Sequence, residues 1–356
     1  MFGKLNPRVE KVWRIGNHTA HRKIGSTEWL PLVPRHDVDE QFLYFLMWSE
    51  HVMPKAKTLV SGSTPSRQRV DPRSFYRIEA PLPPLPEQRK IAGVLGVVQR
   101  AIEQQERLLQ LTTELKKTLV HQLFTHGLRG EAQKETEIGP VPESWEVASL
   151  GAAIAEDPKN GLYKHSSTYG SGTPILRIDD FSNDGDIVTS ASNRVMTDDS
   201  ESKLYALRED DIVTNRVNSL SHLGKTALIG ELPEPMVFES NMMRFRVDER
   251  RALPRYVFRV LNSPVCKKQI IGSAKRAVAQ SSINQGNLKA ILLPLPSFAV
   301  QEEISAILET VVNKVRLHEM KKQSLTDIFR TLLHQLMTAQ IRVHDFDLAA
   351  LGLARE

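Results

Sequence analysis

Thr118-Leu119-Val120-His121-Gln122-Leu123-Phe124-Thr125 returns 213 residues later as Thr331-Leu332-Leu333-His334-Gln335-Leu336-Met337-Thr338, and this recurrence decides the architecture. Carried without a gap over Gln88–Arg129, the same offset leaves 14 of 42 positions identical. Unrelated sequences would give roughly two or three, so the chain holds an internal duplication. The offset continues upstream. Pro81-Leu82-Pro83 faces Pro294-Leu295-Pro296, Phe45 faces Phe258, Val70 faces Ile283, Asp71 faces Asn284 and Phe75 faces Leu288.

Each copy has the same grammar. A polar, basic stretch (Ser66–Arg73 or Ser273–Gln285) leads into an apolar run rich in proline, Ala80–Pro86 or Ile291–Pro296, whose prolines forbid helix and favour an extended path. A long amphipathic helix pattern follows. In the first copy Ile91, Val94, Leu95, Val98, Ile102, Leu108, Leu109, Leu115, Leu119 and Leu123 recur at steps of three and four. In the second the set is Ile304, Ile307, Leu308, Val311, Val315, Leu325, Ile328, Phe329, Leu332, Leu336 and Met337. Gly127 marks the end of the first helix; the second runs towards Gln340 without such a marker. About 40 residues at about 1.5 Å each make a rod of about 60 Å. A rod with one apolar stripe must bury it, and the economical partner is the matching stripe of the other rod. Two equal rods between equivalent globular segments describe a spacer.

Composition sets the class. The chain has 356 residues, 47 Lys+Arg against 42 Asp+Glu, 40% hydrophobic residues and a pI near 9.2. Its single cysteine, Cys266, excludes a disulfide framework and a Cys-rich zinc site and suits a reducing compartment. No apolar run is long enough for a membrane span, and Met1–Lys4 opens no secretory leader, which together read as a soluble cytoplasmic protein. The charge is unevenly placed. Residues 140–243 hold 8 basic and 17 acidic side chains, whereas Arg244–Ala290 holds 11 basic and 2 acidic. Such a basic segment suits a polyanionic partner.

Between the rods, Gly139–Leu293 reads as an α+β domain. Pro174–Ile178, Asp211–Val213, Thr226–Ile229 and Met242–Val247 read as strands, Asp184-Gly185-Asp186 as a turn, and Leu253–Leu261 and Ser263–Ile271 as short helices. By the offset of 213 Met1 faces Thr214, so the first globular segment corresponds to the last half of such a domain, about 75 residues of the second copy having no counterpart.

Pro83-Pro84-Leu85-Pro86-Glu87-Gln88 with Ile91-Ala92 and the helix after it resembles the spacer start of type I restriction–modification specificity subunits. Gly139-Pro140-Val141-Pro142-Glu143-Ser144-Trp145-Glu146 resembles the start of that family's second target recognition domain. Phe2-Gly3-Lys4-Leu5 and Ser26-Thr27-Glu28-Trp29-Leu30 resemble stretches inside a recognition domain. Ser297 and Val300 depart from the pattern at the places of Pro84 and Glu87.

The resemblance implies globular recognition domains alternating with two long spacer helices packed as an antiparallel coiled coil. It divides the chain into 1–80 (half of a first recognition domain), 81–130 (first spacer helix), 131–138 (linker), 139–293 (second recognition domain), 294–342 (second spacer helix) and 343–356 (tail). It implies a non-catalytic subunit without cofactors that reads double-stranded DNA in two half-sites. Two methyltransferase subunits would dock on its helices and restriction–translocase subunits would join them. The near-symmetric repeat also allows self-association. The competing expectation, supported by the missing half-domain, is a scaffold or interaction protein without base readout.

The candidate DNA-facing residues follow from donor type and loop position. Arg216, Asn218 and His222 lie in Thr214–His222 between two strand-like runs, and Lys225 follows in Gly224-Lys225-Thr226. Lys164 lies in the Gly161–Gly172 loop, and Arg177 lies within the next strand pattern, Pro174–Ile178. Lys275, Arg276 and Gln280 precede the second rod, with Arg67, Gln68 and Arg69 in the corresponding place of the first copy and Lys4, Asn6 and Arg8 near the start. Leu119, Leu123, Leu332 and Leu336 are expected to form an exposed stripe for partner docking. Gly224-Lys225-Thr226 is not a phosphate loop, since Ser219 stands where the leading glycine belongs and a strand pattern follows. Glu201-Ser202-Lys203 has no strand around it to make a nuclease site, and His18 and His21 have no third metal ligand nearby.

Overall fold

The computed structural model describes residues 1–16, 20–182, 184, 185, 187, 193–276 and 280–346. Two long helices, Leu85–His126 and Phe298–Met337, stand where the repeat puts them. The chain forms two compact units, Met1–Leu111 with Val315–Glu356, and Thr112–Lys314, so each long helix contributes to both.

The first long helix stops where Gly127 takes a left-handed φ of +69°. The second stops without a glycine. Ala339 adopts φ +58° while the Gln340 amide donates to the Gln335 carbonyl (2.9 Å) and the Ala339 amide to that of Leu336 (3.3 Å). Backbone hydrogen bonds thus close the helix at the expense of about 1 kcal/mol for an alanine in that conformation.

The first unit begins with β1 (Phe2–Gly3) paired antiparallel to β2 (Trp29–Leu30). Helix α1 (Glu40–Trp48) follows, capped by Asp39, whose Oδ1 accepts from the amides of Gln41 and Phe42. Then come α2 (Met53–Thr58), β3 (Val60–Ser61) paired with β4 (Arg69–Val70), and α3 (Pro72–Phe75). Its core joins Phe2, Phe42, Phe45, Ile91, Val94, Leu95, Leu333, Leu336 and Met337. The Gln105 carboxamide meets His318 (2.9 Å) and Lys322 pairs with Glu106 (2.9 Å) between the two long helices.

The second unit opens with a hairpin, β5 (Gln133–Thr136) and β6 (Gly139–Pro142), and then Trp145, one of the largest fully enclosed side chains. The remaining strands in chain order are β7 (Glu146–Ser149), β8 (Ile154–Asn160), β9 (Tyr169–Leu176), β10 (Arg194–Val195), β11 (Asp211–Asn215), β12 (Val217–Asn218), β13 (Thr226–Leu228), β14 (Val237–Phe238), β15 (Met242–Val247), β16 (Lys275–Arg276), β17 (Ser281–Ser282) and β18 (Leu292–Leu295). Helices α4 (Asp199–Leu204), α5 (Pro254–Leu261), α6 (Pro264–Ser273) and α7 (Gln285–Lys289) are interleaved. Glu201 and Lys203 sit on α4, where Glu201 closes a capping box with Asp198.

The central sheet is antiparallel, in the order β13-β11-β15-β8. Every residue of β11 is buried. Ile212, Met243, Phe245 and Val247 pack into the cluster holding α5, Trp145, Leu123, Ile304 and Leu308, while Val213, Ala227 and Met242 pack into a second cluster with Leu176, Phe181 and Phe238. Sheet alternation delivers the two sets to opposite faces, and each fully buried large apolar side chain contributes about 2 kcal/mol.

Candidate nucleic-acid interface

Two stretches more than fifty residues apart meet in one small antiparallel sheet, ordered β12-β17-β16. Asn218, Ser281 and Arg276 share one register, and Val217, Ser282 and Lys275 the next. The Ile283 amide continues the ladder to the Arg216 carbonyl (2.9 Å). The candidates at 216–218 and at 275–280 are therefore brought together, with Lys275 and Gln280 exposed to solvent. The Arg276 side chain lies outside what the structure describes.

Arg216 reaches from this sheet to the Ser240 carbonyl through Nη1 (3.1 Å), while its buried Nε has no hydrogen-bond acceptor. Asn218 Oδ1 accepts from the Ser219 amide. The exposed His222 ring shares Nδ1 with the hydroxyls of Ser219 (3.1 Å) and Ser221 (2.9 Å), so three polar groups are grouped at the loop tip.

Three other candidates are committed within the fold. Lys225 is only 6% exposed; its ammonium donates to the carbonyls of Ile178 (2.5 Å) and Phe181 (2.7 Å) and lies 4.5 Å from the Phe181 ring centroid. Burial lowers its pKa, against the partial opposition of Asp179 and Asp180. Lys225 is thus a buried tie between two loops, which an isolated Gly-Lys-Thr string does not reveal. Arg177 pairs with the buried Glu239 (3.4 Å) and lies over Tyr169, and Lys164 pairs with Glu201 (2.7 Å). Tyr163, one residue before Lys164, is 79% exposed beside the fully enclosed Leu162 and was not singled out by the sequence.

The first unit repeats the small sheet. The Val70 amide donates to Lys4 (3.0 Å) as that of Ile283 does to Arg216, and the Asn6 amide donates to Gln68 (2.8 Å), so Asn6 stands in the place of Asn218. Likewise the Gly3 amide donates to Lys11 as that of Asn215 does to Lys225. The offset at the chain start is therefore 212 up to Asn6 and 214 at Lys11, which corrects the pairing of Met1 with Thr214: the connecting loop differs by two residues between copies. Asn6 has a left-handed φ of +50° and a buried Oδ1 without a partner. Arg69 is held by Glu28 through Nε (3.0 Å) and Nη2 (2.9 Å), a fork that lowers the carboxyl pKa and raises that of the guanidinium. Arg67 ends a short 3-10 turn, and Gln68 gives its carbonyl to Asn6.

The expected docking leucines are corrected. Leu123 and Leu336 are buried, and Leu119 and Leu332 pack against the same two cores, because those turns of each helix face a globular core. The exposed large apolar side chains of the long helices are instead Leu108, Leu111, Leu317, Met320 and Ile328 in the first unit and Leu115 and Phe298 in the second. His334 meets Glu50 (2.8 Å). Among the described residues no group of histidine, cysteine or carboxylate side chains has metal-ligand geometry, and no helix is long and apolar enough to cross a membrane. His18 and Asp186 lie outside the described residues.

The chain belongs to the family described as the type I restriction modification DNA specificity domain, whose profile matches residues 142–327. It is 31% identical over 211 residues to the putative type I restriction enzyme MjaX specificity subunit of Methanocaldococcus jannaschii, covering 59% of this chain and 49% of that one. It is 26% identical over 316 residues to the MjaVIII specificity subunit of the same organism, covering 87% and 72%. The chain therefore spans about half the length of the MjaX subunit. Its fold is shared with the S subunit of the type I restriction-modification system of M. genitalium (TM-score 0.55, 17% identity, 84% of this chain and 73% of that one). It is also shared with a chain of a type I R-M system solved for its complex assembly and conformational transition (TM-score 0.56, 18% identity, 94% and 80%).

Proposed function

We propose that the chain is a non-catalytic, sequence-specific DNA recognition subunit that reads double-stranded DNA for a type I restriction–modification complex. The observation that carries this reading is the β12-β17-β16 sheet, which collects Arg216, Asn218, Lys275 and Gln280 from separate stretches of the family's domain. The exposed Lys275 there neutralises phosphate and supplies salt-dependent affinity, while amide and guanidinium groups read base edges. Lys225 anchors the base of the Asn218–Gly224 loop to the Ile178 and Phe181 carbonyls, while Arg177 and Lys164 are paired with Glu239 and Glu201.

The two long helices act as an antiparallel coiled-coil spacer. In the first unit Ile91, Val94 and Leu95 share a core with Leu333, Leu336 and Met337, as Leu123 and Phe124 do with Ile304 and Leu308 in the second. Both groupings join the start of one helix to the end of the other, as an antiparallel pair requires. Methyltransferase subunits dock on the exposed apolar side chains, with Leu111 and Met320 as anchors, and restriction subunits join through them. The repeated sheet at Lys4, Asn6 and Arg67–Arg69 is the second contact with DNA.

The test is selection from a pool of random duplexes with the purified chain, alone and with a methyltransferase subunit. Enrichment of a defined sequence is expected. Salt-dependent binding without enrichment would leave a scaffold without base readout.

A further inference from the structure

The loop Ser219–Gly224 carries His222 and follows directly on Asn218. Between its ends the main-chain hydrogen bonds are short-range, His222 and Leu223 donating to Ser219 and Lys225 to His222, while at its base the Gly224 amide donates to Asn215 (2.9 Å) and the Gly224 carbonyl accepts from the Thr226 hydroxyl (3.1 Å). A neighbouring helix adds a constraint from outside. Gly224 takes φ +66°, and a Cβ there would lie 2.7 Å from Cδ1 of Ile270 on α6, so the helix presses directly on the backbone. One turn earlier on the same helix, Lys267 extends its ammonium to the Gly224 carbonyl (2.6 Å). Helix α6 then runs into β16, the strand that shares the small sheet with Asn218. The helix that supplies one side of the candidate reading surface therefore also holds the loop on the other.

The first unit contains the same device in different chemistry. Lys11 occupies the place of Lys225, which puts Glu10 in the place of Gly224. From α2, the counterpart of α6, Lys57 reaches Glu10 Oε1 (2.5 Å). In one copy a lysine bonds a main-chain carbonyl, and in the other a lysine bonds a carboxylate, but both tie the second helix to the residue that closes the loop. By the offset of 213 Pro54 stands in the place of Lys267 and Lys57 in that of Ile270, so the tie recurs from a different turn position of the helix, which points to a requirement on the loop and not on one packing contact.

We propose that Lys267 is a positioning residue for DNA readout, a latch that fixes the Asn218–Gly224 loop in register with β16, and that Lys57 does the same for the loop closed by Glu10. The inference rests on the DNA-reading function proposed above. The ammonium is ordinarily too costly to bury for packing alone, and Lys267 is indeed pushed down to about 8, first by burial and then by the neighbouring Lys225, against Cys266 and Asp184, which favour the charge. A charge-assisted bond to Gly224 offsets that penalty.

The experiment compares the full chain with Lys267→Met and Lys267→Arg. The readouts are the ratio of affinities for the duplex that wild type enriches and for a random-sequence duplex, and amide exchange at Leu223 and Gly224. In Lys267→Met the ratio should fall about tenfold, the equivalent of one charged hydrogen bond, with random-duplex affinity almost unchanged and faster loop exchange. Lys267→Arg, which keeps a donor, should recover part of the ratio. If Lys267→Met does not fold, the exposed Lys57→Met decides, with a loss of about threefold in the ratio expected. An unchanged ratio in the folded variant overturns the latch while leaving DNA reading intact. A wild-type chain that enriches no duplex overturns the DNA reading itself, and the latch with it.

Discussion

Gln88 and Gln301 are identical across the repeat, and both are buried at the start of a long helix. Gln301 Oε1 accepts from the Leu253 amide (2.9 Å) and its Nε2 donates to the Pro296 carbonyl (2.9 Å), tying the proline turn to the start of α5. Gln88 makes the same tie from the Pro83 carbonyl (2.8 Å) to the Asp39 amide (2.8 Å), with a further bond to the Asp37 carbonyl (3.0 Å). Replacing Gln301 by the similarly shaped leucine leaves two backbone groups buried without partners. At about 1–3 kcal/mol each, less about 1 kcal/mol regained from the added hydrocarbon, the expected loss is about 1–5 kcal/mol, with a centre near about 3 kcal/mol. Trp145 lies in the affected core and the other three tryptophans, Trp13, Trp29 and Trp48, in the first unit. Urea unfolding followed by single-tryptophan variants therefore separates the two units. The Trp145 transition should move down by more than about 1 M urea in Gln301→Leu, and the first-unit transition should move likewise in Gln88→Leu. A change below about 0.5 kcal/mol in either would refute the assignment of these glutamines as clamps.

Leu123→Asp should destabilise the second unit by about 4 kcal/mol, because it places an unpaired carboxylate in the core, whereas Met320→Asp, 60% exposed, should leave thermal unfolding within about 0.5 kcal/mol and reduce co-purification with a methyltransferase subunit. Lys225→Met orphans the Ile178 and Phe181 carbonyls and should lower the second unit's stability by about 2–3 kcal/mol, read by the same urea transition. Lys267 has a folded pKa of about 8 against an ordinary 10.5, so the folded state holds fewer protons than the unfolded one between those values and the desolvation penalty is relieved as pH rises. The stability of wild type relative to Lys267→Met should thus increase by about 1 kcal/mol from pH 7 to pH 9, and a flat or falling difference would contradict the burial of that charge.

The rods were legible because a three-and-four spacing repeated over forty residues has only one economical geometry, and β15 was legible because Met242–Val247 alternates. The strand β8 was not, since Pro158 interrupts it; a proline is tolerated there because β8 is the sheet edge. The candidate interface was legible as a set of donors but not as an assembly, because β12, β16 and β17 are two residues long and carry no periodicity. The fate of Lys225 depends on carbonyls more than forty residues away, and periodicity cannot tell which turns of a rod face solvent and which face a globular core.

The most direct test of the central claim is methylome sequencing of cells expressing the chain with a methyltransferase subunit, wild type beside Arg216→Ala/Asn218→Ala. The expected result is a bipartite adenine-methylated motif with a fixed gap in the wild type, and relaxed or lost specificity in one half of it in the variant. A motif that is unchanged in the variant, or no new motif although both proteins co-purify, would contradict DNA reading through the β12-β17-β16 sheet.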